Sequence, residues 1–307
     1  MPGYASLGYV GYVKIDGDAV IRATSCDIKA SQQVDAPNLV DGKMDKTVYQ
    51  LHPIEIGGSV AFPAVHEATS GSSTIMKKLW QKACIRGVSD GKLQKIAEIN
   101  TRYNDVTAYK YLNCIVDTFE FSVAQSDMAN VTIGVIGTDR APGFLGYPSS
   151  FYGFRNTRAV TWNDAVARFV GSVSVLGEEI RSFTFNLNNN SQRFYTLNGK
   201  LRPQDIAPGK RDLSGSVTIM GRNSSLAEYA YSNQSRCTET SAVEWGYSIG
   251  VGTTGSCSGD LLIRVPGIVF QIEEIALTNE LLETTVNYKA LPGIAYQGED
   301  NTTDFVV

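Results

Sequence analysis

The phrase VDGKM at residues 40–44 returns as LNGKL at 197–201, 157 positions further on. An internal repeat of that period constrains a chain more than any local pattern, because one unit of about half the length must then fold twice. The match extends without a gap at the same shift, since Gly58-Ser59-Val60 falls on Gly215-Ser216-Val217. Upstream, at a shift of 159, Ile21-Arg22 meets Ile180-Arg181, Asp27-Ile28 meets Asn186-Leu187, and Gln33 meets Gln192. Downstream, at 152, Ser72-Ser73 meets Ser224-Ser225. The shift drifts in one direction, as small loop insertions and deletions make it drift. Two copies of one unit are expected, at residues 1–145 and 161–307, with a linker at 146–160.

A chain of 307 residues accommodates two such domains. Its 29 Gly and 15 Tyr, with many Val, Ile and Thr, favour β structure. Hydrophobic residues make up 43% and charged residues 19%, the balance of a packed protein. No stretch approaches the roughly 20 apolar residues of a membrane helix, and MPGYASLGYVGYVKI lacks the basic and apolar regions of a signal peptide. A net charge of −4 argues against gripping nucleic acid by counterion release.

Strands are predicted over Val20–Lys29, over GSVAF and GSVTI, and over Tyr111–Val123, Asn130–Ile136, Leu261–Ile272 and Glu283–Ala290. Asp16-Gly17, Asp41-Gly42 and Asn198-Gly199 are hairpin signals, because type I′ turns need positive φ at both central residues. KTVYQLHPIE and PQDIAPGKRD read as extended loops. Ser72–Ile85 is the best helix, capped by Ser72 or Ser73, with Ile75, Met76, Leu79, Trp80, Ala83 and Cys84 on one face and Lys77, Lys78 and Lys82 on the wet one. SSLAEYAYS holds the corresponding place in the second unit.

Catalytic groupings are sparse. His52 and His66 have no counterparts across the repeat, so a metal centre or a histidine triad is not expected, and both are placed on loops or the surface. GVGTTG at 250–255 matches GxGxxG but runs into the strand LLIRV instead of opening a helix, which removes the dinucleotide reading. Glu178-Glu179 and Glu273-Glu274 are neighbours on strands and point to opposite faces, a poor arrangement for acid–base work. Cys26, Cys84, Cys114, Cys237 and Cys257 form no CxxC and read as reduced, mostly buried thiols, with a Cys237–Cys257 bridge left open. No enzyme activity, cofactor or metal is expected.

The run IRSFTFNLNNNSQRFYTLNGKLRPQDIAPGKRDLSGSVTI, residues 180–219, resembles the core of bacteriophage tail tube proteins. A strand ending in polar residues leads into a polar strand and extended loop, then into Gly209-Lys210-Arg211-Asp212-Leu213-Ser214-Gly215-Ser216-Val217. The first copy keeps Gly58-Ser59-Val60 but has His52-Pro53-Ile54 in place of Gly-Lys-Arg.

The resemblance implies a mainly β chain of two tandem tail-tube-like β-sandwich or barrel domains, each with a flanking helix. It implies a hollow ring of six such units, which three duplicated chains would complete, stacked into a tube that conducts DNA from capsid to host past polar, on balance acidic walls. The loops Asp35–His52 and Arg202–Asp212 are then expected to touch neighbouring subunits or rings, with Asp41, Lys43, Asp45, Lys46, Asp205, Lys210, Arg211 and Asp212 as contact residues. Expected partners are further copies of the chain, a tape measure protein and tail tip or terminator proteins, with DNA passing but not held and no membrane anchor. The expected location is the virion tail, after assembly in the bacterial host cytoplasm. A baseplate or distal-tail adaptor with a tube-like fold stays open. So do a carbohydrate-binding β-sandwich, for which Tyr147, Phe151, Tyr152 and Phe154 would supply the aromatics, and, with least support, a hydrolase.

Overall fold

The computed structural model describes residues 12–16, 19–21, 23–35, 50–67, 75–84, 92–102, 107–143, 157–170, 180–197, 200–220, 242–247, 261–266, 268–271, 283–290, 296–298 and 304–305. In the first half these form β1 (Tyr12–Ile15), β2 (Ala19–Ile21), β3 (Ser25–Cys26), β4 (Lys29–Asp35), β5 (Gln50–Pro63), β6 (Val65–Glu67), α1 (Ile75–Cys84), β7 (Ile96–Arg102), β8 (Ala108–Ala124), β9 (Asn130–Gly137) and β10 (Asp139–Pro142). The second half continues with β11 (Thr157–Ala159), β12 (Ala165–Val170), β13 (Ile180–Asn188), β14 (Gln192–Phe194), β15 (Asp205–Ala207), β16 (Asp212–Met220) and β17 (Ala242–Tyr247). It ends with β18 (Leu261–Pro266), β19 (Ile268–Gln271), β20 (Glu283–Ala290), β21 (Tyr296–Gly298) and β22 (Asp304–Phe305). The chain is mainly β, as its composition and turn spacing lead one to expect.

One antiparallel sheet crosses both halves in the order β4, β5, β9, β8, β13, β16, β20, β19, with β3 beside β4 on the same edge of β5. β8 serves two sheets. Its C-terminal part lies between β9 and β13, with Phe119 opposite Ile133 on one side and Leu187 on the other. Its N-terminal part lies between β7 and β10, with Tyr111 opposite Ile99 and Arg140, and β7 goes on to pair with β1. In the second half β18 lies between β17 and β21, β17 pairs with β12, and β19 joins the large sheet. The order β4, β5, β9, β8 is therefore followed along the same sheet by β13, β16, β20, β19.

Strand alternation divides the large sheet into two faces. Phe62, Val131, Phe121 and Phe185 form one of several buried rows, and α1 packs on this side. Trp80 meets Phe119 and Phe185 edge-on at centroid distances of 5.3 and 5.6 Å. One helical residue thus packs on strands from both halves, and each such aromatic stabilises by about 1.5–3 kcal/mol through burial. The opposite face carries hydroxyls and amides. Ser122, Thr184, Ser216 and Asn287 lie in one cross-strand row, and Thr184 Oγ1 and Ser216 Oγ are 2.8 Å apart.

The repeated Gly-Ser-Val marks a close approach of strands. Gly58 has φ 151°, and a Cβ there would stand 2.6 Å from Asp27 O. A Cβ on Gly215 would stand 2.2 Å from both Thr184 O and Tyr288 Oη. Only glycine fits the first position without strain, and only a missing side chain admits the tyrosine at the second.

Several expectations are corrected. The loop predicted for KTVYQLHPIE is strand from Gln50 onward, and His52 lies within β5, half-exposed. The register of β4 against β5 slips between Gln32 and Val34, opposite His52 and Pro53, and a bulge there tolerates a proline that has no N–H to give. His66 is likewise a strand residue, opposite Arg158. The single strand expected over Val20–Lys29 is divided among β2, β3 and β4, because β2 turns back on β1 through Asp16, which has φ 51°. PQDIAPGKRD contains the short strand β15, paired with β14. Thr157–Ala159, within the expected linker, pairs with β6. In α1, Leu79, Trp80, Ala83 and Cys84 are buried and Lys78 is exposed, as predicted. The caps Ser72 and Ser73, both Asx-Gly repeat turns, SSLAEYAYS, GVGTTG, Glu178-Glu179, Glu273-Glu274, Cys237, Cys257 and the 147–154 aromatics lie outside the described residues.

Candidate assembly site

Between β13 and β16 the chain leaves the second half and lies along the first. Three consecutive asparagines, Asn188–Asn190, start the excursion. Asn190 takes the left-handed φ of 48°, which asparagine tolerates better than most residues, and its backbone N–H donates to Asn188 Oδ1 at 2.8 Å. Its Nδ2 donates to Lys210 O and Asp212 Oδ2, both at 2.8 Å, tying the start of the loop to its end.

Asn189 is fully buried and faces the C-terminus of α1. Its Nδ2 donates to Ala83 O at 2.9 Å and Val116 O at 3.1 Å, while its Oδ1 accepts from Arg211 Nε at 2.9 Å. Arg211 Nη2 donates to Cys84 O at 2.8 Å and Ala83 O at 3.3 Å. The last carbonyls of a helix have no partners within it and carry its negative dipole end, so a guanidinium is well matched there.

Further along, the loop clasps the edge of the first-half sheet. Arg193 Nη2 donates to Ile56 O at 2.9 Å, Tyr195 Oη to Ile54 O at 3.2 Å, and the Ile54 N–H to Leu201 O at 2.7 Å. Arg202 pairs with Asp139. Asp205 accepts from Lys92 at 2.6 Å and Lys95 at 3.1 Å, and beside it Ile206 packs with Leu93 and Ile115 in a small second core. The Lys92 hydrogen bond, joined by those from Lys95 and the Ile206 N–H, holds the Asp205 carboxyl down at about 2 against partial desolvation. Arg193, Lys29, Glu55 and Asp117 line an open cleft of about 300 Å³ between loop and sheet.

Of the residues predicted to touch neighbouring subunits or rings, Asp205 and Arg211 have side chains that bond to the first half of their own chain. Lys210 contributes its carbonyl and is otherwise exposed, and Asp212 receives Asn190. Asp41, Lys43, Asp45 and Lys46 lie outside the described residues. Sequence reasoning missed Asn189 and Arg193, although the Asn-Asn-Asn run ending β13 was a visible turn signal. Among the described residues no three His, Cys, Asp or Glu side chains gather as metal ligands would.

This is the architecture of a structural clasp, built from backbone carbonyls and charge pairs, on a sheet shared by two halves. Residues 53–290 match the family model described as phage tail tube protein, a span that runs from β5 to the end of β20. The chain belongs to the phage tail tube protein family. No curated protein matches it. Tail tube proteins are structural proteins that assemble into the tube of the phage tail, and the family places this chain among them.

At the far edge of its sheet the tail tube protein has a second polar pair, His52 Nε2 to Asp35 Oδ2 at 2.7 Å. The Gln33 amide, then His52, lower the Asp35 carboxyl below its usual range. No long apolar helix of the membrane-spanning kind occurs among the described residues.

Proposed function

We propose that three copies of this chain close into a pseudo-hexameric ring, and that stacked rings form the hollow conduit through which phage DNA passes into the host. The observation that carries this reading is the strand order of the large sheet. A four-strand set, β4, β5, β9, β8, is followed edge to edge by β13, β16, β20, β19, paired in the same sequence. The recurrence supports a duplicated unit, with domains at 1–145 and 161–307.

The β8–β13 seam then supplies the pattern for closure. An identical joint between the β19 end of one chain and the β3–β4 end of the next extends the sheet, and three such joints close it. Sheet ends left open are aggregation hazards, and closure into a large barrel removes them. A second, non-closing contact along the axis stacks rings into a filament.

The clasp supports the same reading. Asn189–Arg211 follows β13 and lies on the preceding four-strand set, while the segment carrying Asp41, Lys43, Asp45 and Lys46 follows β4 in the same position. In a ring it would lie on the last four-strand set of the neighbouring chain. Tape measure, tip and terminator proteins would set tube length and close its ends.

Negative-stain electron microscopy of the purified chain at rising concentration tests the proposal. Hollow tubes are expected, with end-on views showing three-fold symmetry and six similar lobes. Monodisperse particles under every assembly condition would count against it.

A further inference from the structure

Among the described residues, the large apolar side chains left exposed gather at the two ends of the β4, β5, β9, β8 set, with Val269 on the β19 edge as the exception. At the end where β4 finishes and β5 starts, Val34 lies opposite Leu51, and both are more than half exposed. Exposed Phe194 and Leu197 belong to the same end, because Tyr195 between them is anchored to Ile54 O, close to Leu51 along β5.

β5 then runs to Pro63, which pairs with Asn130, so the β8–β9 turn stands at the opposite end of the set. Met128 and Trp162 are exposed there, by 51% and 43%. Backbone contacts fix their positions. Met128 bridges to Thr161, and the Trp162 N–H donates to Asp127 O at 3.0 Å. Buried Asp164 accepts from the Thr161 N–H and hydroxyl at 3.1 and 2.8 Å.

We infer that Met128 and Trp162 form a knob that docks on the apolar seat made by Val34, Leu51, Phe194 and Leu197 of a second copy in the next ring. The inference rests on the ring reading. A sheet has two lateral edges and two strand ends. Ring closure takes the edges, at β3–β4 and at β19, and leaves the strand ends to the copies above and below. One chain cannot bring its own knob and seat together, since β5 alone separates them by roughly 40 Å at about 3.3 Å per residue. Every copy carries both, on opposite ends of the same strands, so a copy placed in line supplies each with its counterpart. A contact between unlike ends does not close on itself and repeats along an axis. A tryptophan ringed by smaller apolar groups is the kind of anchor that dominates such contacts, and a pre-set backbone lowers the ordering cost of docking.

The test uses two paired variants of the full chain. Trp162→Ser with Met128→Ser removes the knob, Phe194→Ser with Leu197→Ser removes the seat, and urea denaturation checks that each variant folds. Each alone is expected to give separate three-fold rings in negative stain, and no tubes, under conditions where the wild type forms them. Mixed after ring formation, the two should give stacks of two rings and nothing longer, because one sound knob then meets one sound seat. Full-length tubes from the knob variant would overturn the docking assignment and leave the ring reading intact. Folded variants that close no rings would overturn it too, by placing these residues in ring closure. A mixture that stays as single rings would overturn the pairing of knob with seat. Absence of rings from the wild-type chain would remove the ring reading and this inference with it. A second measurement keeps the apolar ends nearly whole. In tubes assembled from Trp162→Cys and Leu197→Cys chains together, a short bifunctional maleimide should join one kind of chain to the other. Cross-links only between two Trp162→Cys chains, or none at all, would overturn the head-to-tail contact.

Discussion

Arg211 and Asn189 share a hydrogen bond of 2.9 Å and reach the same carbonyl, Ala83 O, at the end of α1. The pair therefore works as one capping unit that joins the second half of the chain to the helix of the first. Replacing Arg211 by Met keeps the stem but removes three donations, and should cost about 2–4 kcal/mol, the scale of lost charged hydrogen bonds in a partly buried site. Asn189→Ala should cost a similar amount. In a double-mutant cycle read by urea denaturation, the two losses should fall short of additivity, since either change disables the other residue.

Asp205 supplies a pH signature. Its carboxyl is held at about 2 in the folded chain, below the unfolded value near 3.9. The stabilisation is therefore complete above about pH 4 and is lost as pH falls through about 2. Because Asp205 is 35% exposed and its lysines are more so, solvent screening limits the contribution to about 1 kcal/mol or less. Denaturation curves of wild type and Asp205→Asn should differ by a constant amount from pH 5 to 7 and converge between pH 4 and 2.

Gly58→Ala should destabilise by more than about 2 kcal/mol, through an unfavourable φ and contact with the β3–β4 strand backbone. Gly215→Ala should be comparably harmful for a different reason, since the new methyl group meets Tyr288 Oη and Thr184 O. Removing the tyrosine hydroxyl relieves only part of that clash, so Gly215→Ala with Tyr288→Phe should recover some stability by thermal denaturation. A full recovery would show that Thr184 O does not obstruct.

Cys84 and Cys114 should be silent to thiol reagents in the native chain. Burial pushes the Cys84 thiol far up and the Cys114 thiol to about 12, so neither supplies thiolate near neutrality. Peptide mapping after alkylation at neutral pH should find both unmodified until denaturant is added, with Cys26, only part-buried, modified first among these three.

The sequence by itself determined the β class, the helix face that packs and the strand character of Gly58-Ser59-Val60 and Gly215-Ser216-Val217; of the loop Arg202–Asp212 it offered only an extended character. These are local matters: alternation, helical spacing and turn residues act within a few positions, and a repeat shows by comparison of one stretch with another. Tertiary structure alone decided where that loop goes. Nothing near Asp205 announces Lys92 and Lys95, and nothing near Asn189 announces the carbonyl of Ala83. Likewise His52 and Pro53 read as loop because a proline interrupts the strand signal, and only the bulge they form opposite Gln33 of the partner strand makes pairing affordable. Contacts across more than a hundred residues depend on which sheet edges meet, and edges are defined by backbone hydrogen bonds that every residue offers alike.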